Sequence, residues 1–270
     1  MSHRPPLASL TLIALLSASM AVAADDSKDA PALPAKKNFH LYLLAGQSNM
    51  AGRGKVEEQD KQPHPRVLAL TKDGTWKPAV APLHWDKSVA GVGLGRTFAI
   101  TLAEKDKTIT IGLIPAACGG SPISTWQHGG YHGQTKSHPY DDAIARAKRA
   151  MKDGTLKGIL WHQGESDCSA TLAPKYKDAL KELIARFRKE LDVPELPFII
   201  GQLGQFPERP WNDERKMVGA AHREVAKELK HVGFVKSDGL TPNADQVHFD
   251  AASLREFGKR YAEVYLGLHK

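Results

Sequence analysis

An alternation of two patterns limits the fold more than any other feature. Five short, nearly continuous apolar runs, at 39–45, 108–115, 157–162, 197–203 and 232–235, are separated by longer stretches of helical period. Runs of that kind are strands buried on both faces. Strands that alternate with helices form a parallel sheet covered on both sides. The helical period is clearest where Tyr176, Leu180, Leu183, Ile184, Phe187 and Leu191 fall three and four apart. A final helix uses Leu254, Phe257, Tyr261 and Val264 behind Asp250, whose side chain suits an N-cap. Residues 66–80 read as an inserted hairpin turning at Asp73-Gly74. No repeat and no second composition regime interrupts the pattern, so 38–270 is expected to be one α/β domain on a five-stranded parallel sheet.

The residues ahead of that domain read as an address. Residues 1–23 begin with His3 and Arg4, continue through an apolar run and end in Ala21-Val22-Ala23, the small-x-small pattern of a signal-peptidase site. The run is shorter than the roughly 20 residues that span a bilayer, so cleavage near Ala23 is expected, leaving no stable membrane anchor. Residues 24–37 form a polar, proline-broken linker. The expected destination is outside the cytoplasm, periplasmic or secreted. The two cysteines, Cys118 and Cys168, are too few for a disulfide scaffold and lack structural-zinc spacing. In an oxidising compartment they can pair if their loops meet, which their sequence positions leave open. Lys and Arg total 37 against 30 Asp and Glu, mixed along the whole length, so the net charge of +7 is read as solvated surface and no nucleic-acid partner is expected. Nothing in the sequence sets an oligomeric state.

Open parallel sheets bind ligands at the carboxyl ends of their strands. Four of the five ends here place glycine or a tight turn beside reactive polar side chains: Gly46-Gln47-Ser48-Asn49-Met50-Ala51-Gly52-Arg53-Gly54, Cys118-Gly119-Gly120-Ser121, Trp161-His162-Gln163-Gly164-Glu165-Ser166-Asp167 and Asp245-Gln246-Val247-His248-Phe249-Asp250. A serine hydroxyl needs a base to become a nucleophile at neutral pH, and histidine suits that task. Ser48 is the candidate nucleophile, His248 the base and Asp245 the carboxylate that orients it, since the Asp-x-x-His spacing lets both side chains project from one turn. The amides of Ser48 and of Gly120 or Gly119, with the side-chain amide of Gln163, are candidate donors to a developing oxyanion.

These four blocks resemble the SGNH (GDSL-type) hydrolase superfamily, and within it the sialate O-acetylesterase-like branch that contains carbohydrate esterase family six. The blocks follow the family's order across almost the whole chain after the leader. The resemblance implies a three-layer α/β/α flavodoxin-like sandwich, no metal or other cofactor, and removal of O-acetyl groups from sugars, so that the partner is an acetylated carbohydrate. It carries over Ser48 as nucleophile, His248 as base, Asp245 as its acid, and Ser48, Gly120 and Gln163 as the oxyanion hole. Gln47 stands where many superfamily members have aspartate and Gln163 where they have asparagine; both are usual in the acetylesterase branch. Glu165 is the second candidate for the acid, or a substrate-binding residue. Residues 247–263 resemble family six most, which points to acetylxylan-type hemicellulose, with a sialate O-acetylesterase as the alternative.

Other readings are open at this point. A glycosidase would use Glu165 with Asp167 or Asp245 and would not need Ser48. A carbohydrate-binding protein would carry the same pocket without turnover. His128 and His132 have the spacing of a helical metal pair, but the glycines between them disfavour a helix, and the segment is read as a mobile loop near the site. Gly91, Gly93 and Gly95 miss the dinucleotide-binding spacing, so no nucleotide cofactor is expected. The absence of a G-x-S-x-G elbow counts against an α/β-hydrolase.

Overall fold

The computed structural model describes residues 31–268, with Met1 and His3. The leader expected over 1–23, those two residues apart, lies outside the described residues, as does the linker up to residue 30. In chain order the elements are β1 (Phe39–Gly46), α1 (Ser48–Ala51), α2 (Glu58–Lys61), β2 (Val67–Leu70), β3 (Trp76–Pro78), α3 (Leu94–Lys105), β4 (Thr110–Pro115), α4 (Pro139–Ala150), β5 (Thr155–His162), α5 (Tyr176–Glu190), β6 (Phe198–Gly201), α6 (Asp213–Glu228), β7 (Val232–Val235) and α7 (Ala251–Gly267). Among the described residues no helix is long and apolar enough to cross a membrane.

The strands form one sheet in the order β3-β2-β4-β1-β5-β6-β7, in which β3 runs antiparallel to β2 and every other pair is parallel. The five strands expected from the apolar runs are β1, β4, β5, β6 and β7. Their order, second-first-third-fourth-fifth along the chain, is the doubly wound flavodoxin-like arrangement, whose ligand crevice opens where the winding reverses, here between β1 and β5.

Among the described residues the sheet has seven strands rather than five. The hairpin forms where expected, but its arms join the sheet beyond β4, with Val67, Leu68 and Ala69 opposite Ile111, Gly112 and Leu113. All four residues of β2 are buried. An arm that apolar on both faces cannot remain a surface ribbon, and pairing with β4 also satisfies an otherwise open strand edge. Trp76 fixes the outer arm: its ring meets Phe39 edge-on at 4.8 Å and its Nε1 donates to Asp153 at 2.8 Å.

Period-two alternation divides β1 between two cores. Phe39, Leu41 and Leu43 join a buried cluster with Tyr140 and Ile144 of α4, Leu180 and Phe187 of α5, and Val218 of α6. Tyr42 and Leu44 join a second with Phe98 of α3 and Leu254, Phe257 and Tyr261 of α7. Among the described residues α4, α5 and α6 therefore cover one face, and α3 and α7, with the short α1, the other. The flanking helices remove both faces of the inner strands from water. Asp250 caps α7 as expected, accepting from the Ser253 amide at 2.7 Å.

The end of β1 sets the position of the site. Gly46 has φ +126°, and a Cβ there would lie 2.2 Å from the His162 carbonyl oxygen of β5. Only glycine fits so close an approach. The same contact lets the Gln47 amide donate to that carbonyl at 2.8 Å, which lays the turn carrying Ser48 against the end of β5.

Candidate active site

Ser48 is the first residue of α1 and is nearly buried. Its Oγ lies 2.8 Å from Nε2 of His248, which stands on the loop between β7 and α7. Nδ1 of His248 lies 2.6 Å from Asp245 Oδ2. The other Asp245 oxygen accepts the amides of Val247 and His248, each at 2.9 Å, so the carboxylate organises its own turn as well as the ring. Partial burial works to raise the Asp245 carboxyl, but the hydrogen bonds from His248 and from these amides outweigh it and hold the group below its ordinary value. Asp245 is thus an anion beside the imidazole at neutral pH.

Two links brace this row. Asn49 Nδ2 donates to Glu165 Oε1 at 2.8 Å, while its Oδ1 accepts the Phe249 amide at 3.1 Å, joining the turn after β1 to the loop after β5 and to the residue that follows His248. Glu165 makes no hydrogen bond to His248; its second oxygen, Oε2, is buried without a hydrogen-bond partner among the described residues. Arg53 forms a nearly buried ion pair with Asp86 at 2.6 Å, and the same Asp86 oxygen accepts the Gly119 amide at 2.8 Å. Gly119 is thereby committed. Among the described residues the amides of Ser48 and Gly120 donate to no protein acceptor, and Gly120, at φ +85°, turns the chain tightly beside the cleft.

Gln163 is not brought to the cleft. It is fully enclosed, and its Nε2 is surrounded by three acceptors, Gln47 Oε1, the Ser121 carbonyl and an Asp167 carboxyl oxygen. Its Oε1 accepts from the Tyr176 hydroxyl at 2.9 Å. With two N–H groups already taken up inside the protein, this amide has no donor left for an oxyanion and serves to tie together the ends of β1 and β5 and the loop after β4. Asp167, entirely buried beneath it, has its carboxyl pushed up to about 6 by burial, against the opposing bonds from Gln163 and Ile123.

The cysteines do not pair. Cys118 Sγ faces the Ala116 carbonyl and Ser137 Oγ, whereas Cys168 Sγ points to the Gly164 carbonyl at 3.2 Å, so the two thiols serve different loops. The histidine loop is pinned rather than loose. His132 places a ring nitrogen 3.2 Å from the Gly119 carbonyl, and His128 sits between Asp141 and Glu190 at 3.1 and 2.8 Å.

Ser48, Gly120, Glu165, Asp245 and His248 line one open cleft of about 530 Å³, to which Lys87, Arg209 and the buried Arg215 add basic side chains and Arg53 its ion pair with Asp86. Sequence reasoning passed over Asn49, Arg53 and Asp86. The first two lie inside a block already singled out, but side-chain hydrogen bonds across 33 and 116 positions leave no local pattern. A serine hydroxyl aligned with an imidazole and a carboxylate, next to two free amides, is suited to attack on a carbonyl carbon and to holding the oxyanion that results.

Known proteins are similar to this chain in sequence and in fold. The sequence profile of the family described as "carbohydrate esterase, sialic acid-specific acetylesterase" matches residues 38–267. A probable carbohydrate esterase of Arabidopsis thaliana is 30% identical over 250 residues, covering 84% of this chain and 90% of that protein. The crystal structure of the Arabidopsis protein gives a TM-score of 0.76 over 87% of this chain and 99% of that one. NanS, at 18% identity and TM-score 0.70 over 88% of this chain and 99% of that one, shares the fold. So does a carbohydrate acetylesterase from Xanthomonas citri, at 20% identity and TM-score 0.65 over 84% of this chain and 57% of that one. The chain belongs to this carbohydrate esterase family and, with it, to the hydrolases of carboxylic esters.

Proposed function

We propose that this is an exported serine O-acetylesterase that releases acetate from acetylated hemicellulose of the acetylxylan type. The observation that carries the reading is the continuous row Ser48 Oγ, His248 Nε2, His248 Nδ1, Asp245 Oδ2, with spacings of 2.8 and 2.6 Å, open to a cleft. Ser48 attacks the acetyl carbonyl as His248 takes its proton. Asp245 stabilises the imidazolium, and the amides of Ser48 and Gly120 receive the oxyanion. The sugar oxygen leaves with the proton from His248, water then attacks the acetyl-serine by the same route, and acetate departs. The choice of a neutral hemicellulose rests on the resemblance of residues 247–263 to family six, and export rests on the leader at 1–23.

A second reading, an O-acetylated sialic acid as substrate, is favoured by the basic side chains of Lys87, Arg209 and Arg215 that line the cleft and by the family's description. A glycosidase is disfavoured because Asp167 is wholly buried against Gln163 and Ile123, and Asp245 is engaged by His248.

The test measures acetate and reducing ends released from acetylated xylan and from O-acetylated sialic acid by wild type and Ser48→Ala. Acetate release that falls by about 10³-fold or more in the variant supports the esterase. Sugar cleavage unaffected by the substitution overturns it, as does binding of glycan without turnover. The ratio of the two acetate rates selects between the two sugars.

A further inference from the structure

A second cavity of about 500 Å³ lies behind the wall of the cleft, bordered by His84, Trp85, Asp86, Cys118, Asp142 and Arg146. Asp86 belongs to both sides: its carboxylate holds Arg53 and the Gly119 amide of the catalytic cleft while the residue lines the outer cavity. Above it Lys87 Nζ donates to Gln134 Oε1 at 2.7 Å, a side-chain strap lying over Gly119 and Gly120. The two cavities are therefore neighbours separated by one pair of loops.

The outer cavity has an unmet hydrogen-bonding demand. His84 is 5% exposed; the Leu44 backbone faces its ring, but among the described residues neither ring nitrogen comes within hydrogen-bond distance of a partner. A buried imidazole in that state is costly unless a ligand supplies the missing bonds. Burial pushes it down to about 4, against the nearby Asp86 carboxylate, so it is neutral and offers one donor and one acceptor. A sugar hydroxyl both accepts and donates, matching that pair. Beside it Trp85, 40% exposed, presents an indole held by Arg146, whose guanidinium sits 4.4 Å from the ring centre. Arg146 is itself fixed by donation to the carbonyls of Pro115, Leu70 and Thr71 at 2.7, 2.8 and 3.1 Å. A rigid aromatic surface suits the C–H face of a pyranose. The Asp86 and Asp142 carboxylates share the walls with Lys72, Lys136 and Arg146, so opposite charges nearly balance and the lining gives neither a cation nor an anion a strong advantage over a neutral sugar.

From this geometry we propose that the cavity around His84 and Trp85 is a glycan subsite, binding an unacetylated sugar of a neutral polysaccharide whose acetylated residue lies at Ser48. The placement of the chain rests on the esterase reading above; the subsite is tested apart from it.

Xylohexaose, which carries no acetyl group, is titrated by calorimetry into Ser48→Ala, with and without Trp85→Ala or His84→Leu. Binding weakened about tenfold by either added change supports the subsite; unchanged binding, or none by the Ser48→Ala protein itself, overturns it. His84→Leu removes the unpaired nitrogens and should not lower the Tm, whereas a structural histidine would. In the Ser48 background of the wild type, Trp85→Ala should reduce kcat/KM about tenfold on acetylated xylohexaose, mainly through KM, and leave 4-nitrophenyl acetate within about twofold. Equal loss on both substrates overturns the subsite. Wild type that releases no acetate from any glycan overturns the esterase reading alone, and xylohexaose binding then decides the subsite by itself.

Discussion

Nδ1 of His248 stands 2.6 Å from Asp245 Oδ2, while the Glu165 carboxylate is bound to Asn49 at 2.8 Å and makes no hydrogen bond to the imidazole. The two acids that compete in the sequence thus hold different things. Asp245 fixes the ring and stabilises its cationic form. Glu165 acts through Asn49 on the loop that carries the ring.

The first expected outcome is a ranking. Asp245→Ala lowers kcat on an acetyl ester by about 10²–10⁴-fold, since the imidazole loses both its orientation and its counter-charge. Glu165→Ala costs about tenfold, because the Asn49 bond to the Phe249 amide survives. Steady-state kinetics of the two variants check this, and a larger loss at Glu165 would reverse the assignment.

Asp86 gives a second. Its pair with Arg53 is nearly buried, with side-chain exposures of 6% for Arg53 and 2% for Asp86. Breaking such a pair from one side leaves a charge without partner or water, at a cost of about 3–5 kcal/mol. Asp86→Ala should lower the urea midpoint accordingly and also reduce kcat, since the Gly119 amide loses its acceptor and the loop that presents Gly120 loses that tie. A variant of unchanged stability would show that water replaces the carboxylate.

Much of this architecture is legible in the sequence because it depends on local pattern. Continuous apolar runs mark β1 and β4 to β7, and spacings of three and four mark α5 and α7. The Asp-x-x-His turn places Asp245 beside His248 without help from the rest of the chain. What escaped depends on long-range partners. Whether Val67–Leu70 stays in a ribbon or joins the sheet is decided by the open edge of β4. Whether Gln163 points to solvent or inward is decided by Gln47, Ser121 and Asp167, which converge on it from three segments. The Arg53 and Asp86 pair likewise exists only once the loops after β1 and before α3 have met.

Asp167 yields a pH dependence of stability. Its folded carboxyl holds the proton more tightly than the unfolded chain does, because burial raises it from 3.8 to about 6. The stabilisation from this group is therefore fully present below the unfolded pKa near 3.8 and is lost as the pH rises through about 6. Asp167→Asn carries no titration, so its stability relative to wild type should improve by about 2–3 kcal/mol between pH 4 and pH 7. Urea unfolding at the two pH values measures the difference; a constant offset would mean that Asp167 keeps its ordinary pKa.

The thiols supply the last. Cys118 and Cys168 have separate partners, and burial pushes both up to about 11, so each is held as a protonated thiol at neutral pH. Thiolate is the reactive form, and at pH 8 a group with that pKa carries only about one part in a thousand of it. An aromatic disulfide reagent should therefore label the native protein at least about a hundred times more slowly than the unfolded one. Unfolded without reductant, the chain should titrate two thiols. Fewer than two would mean that the loops after β4 and β5 come close enough to bridge, which would require the Ser137 and Gly164 contacts to be broken.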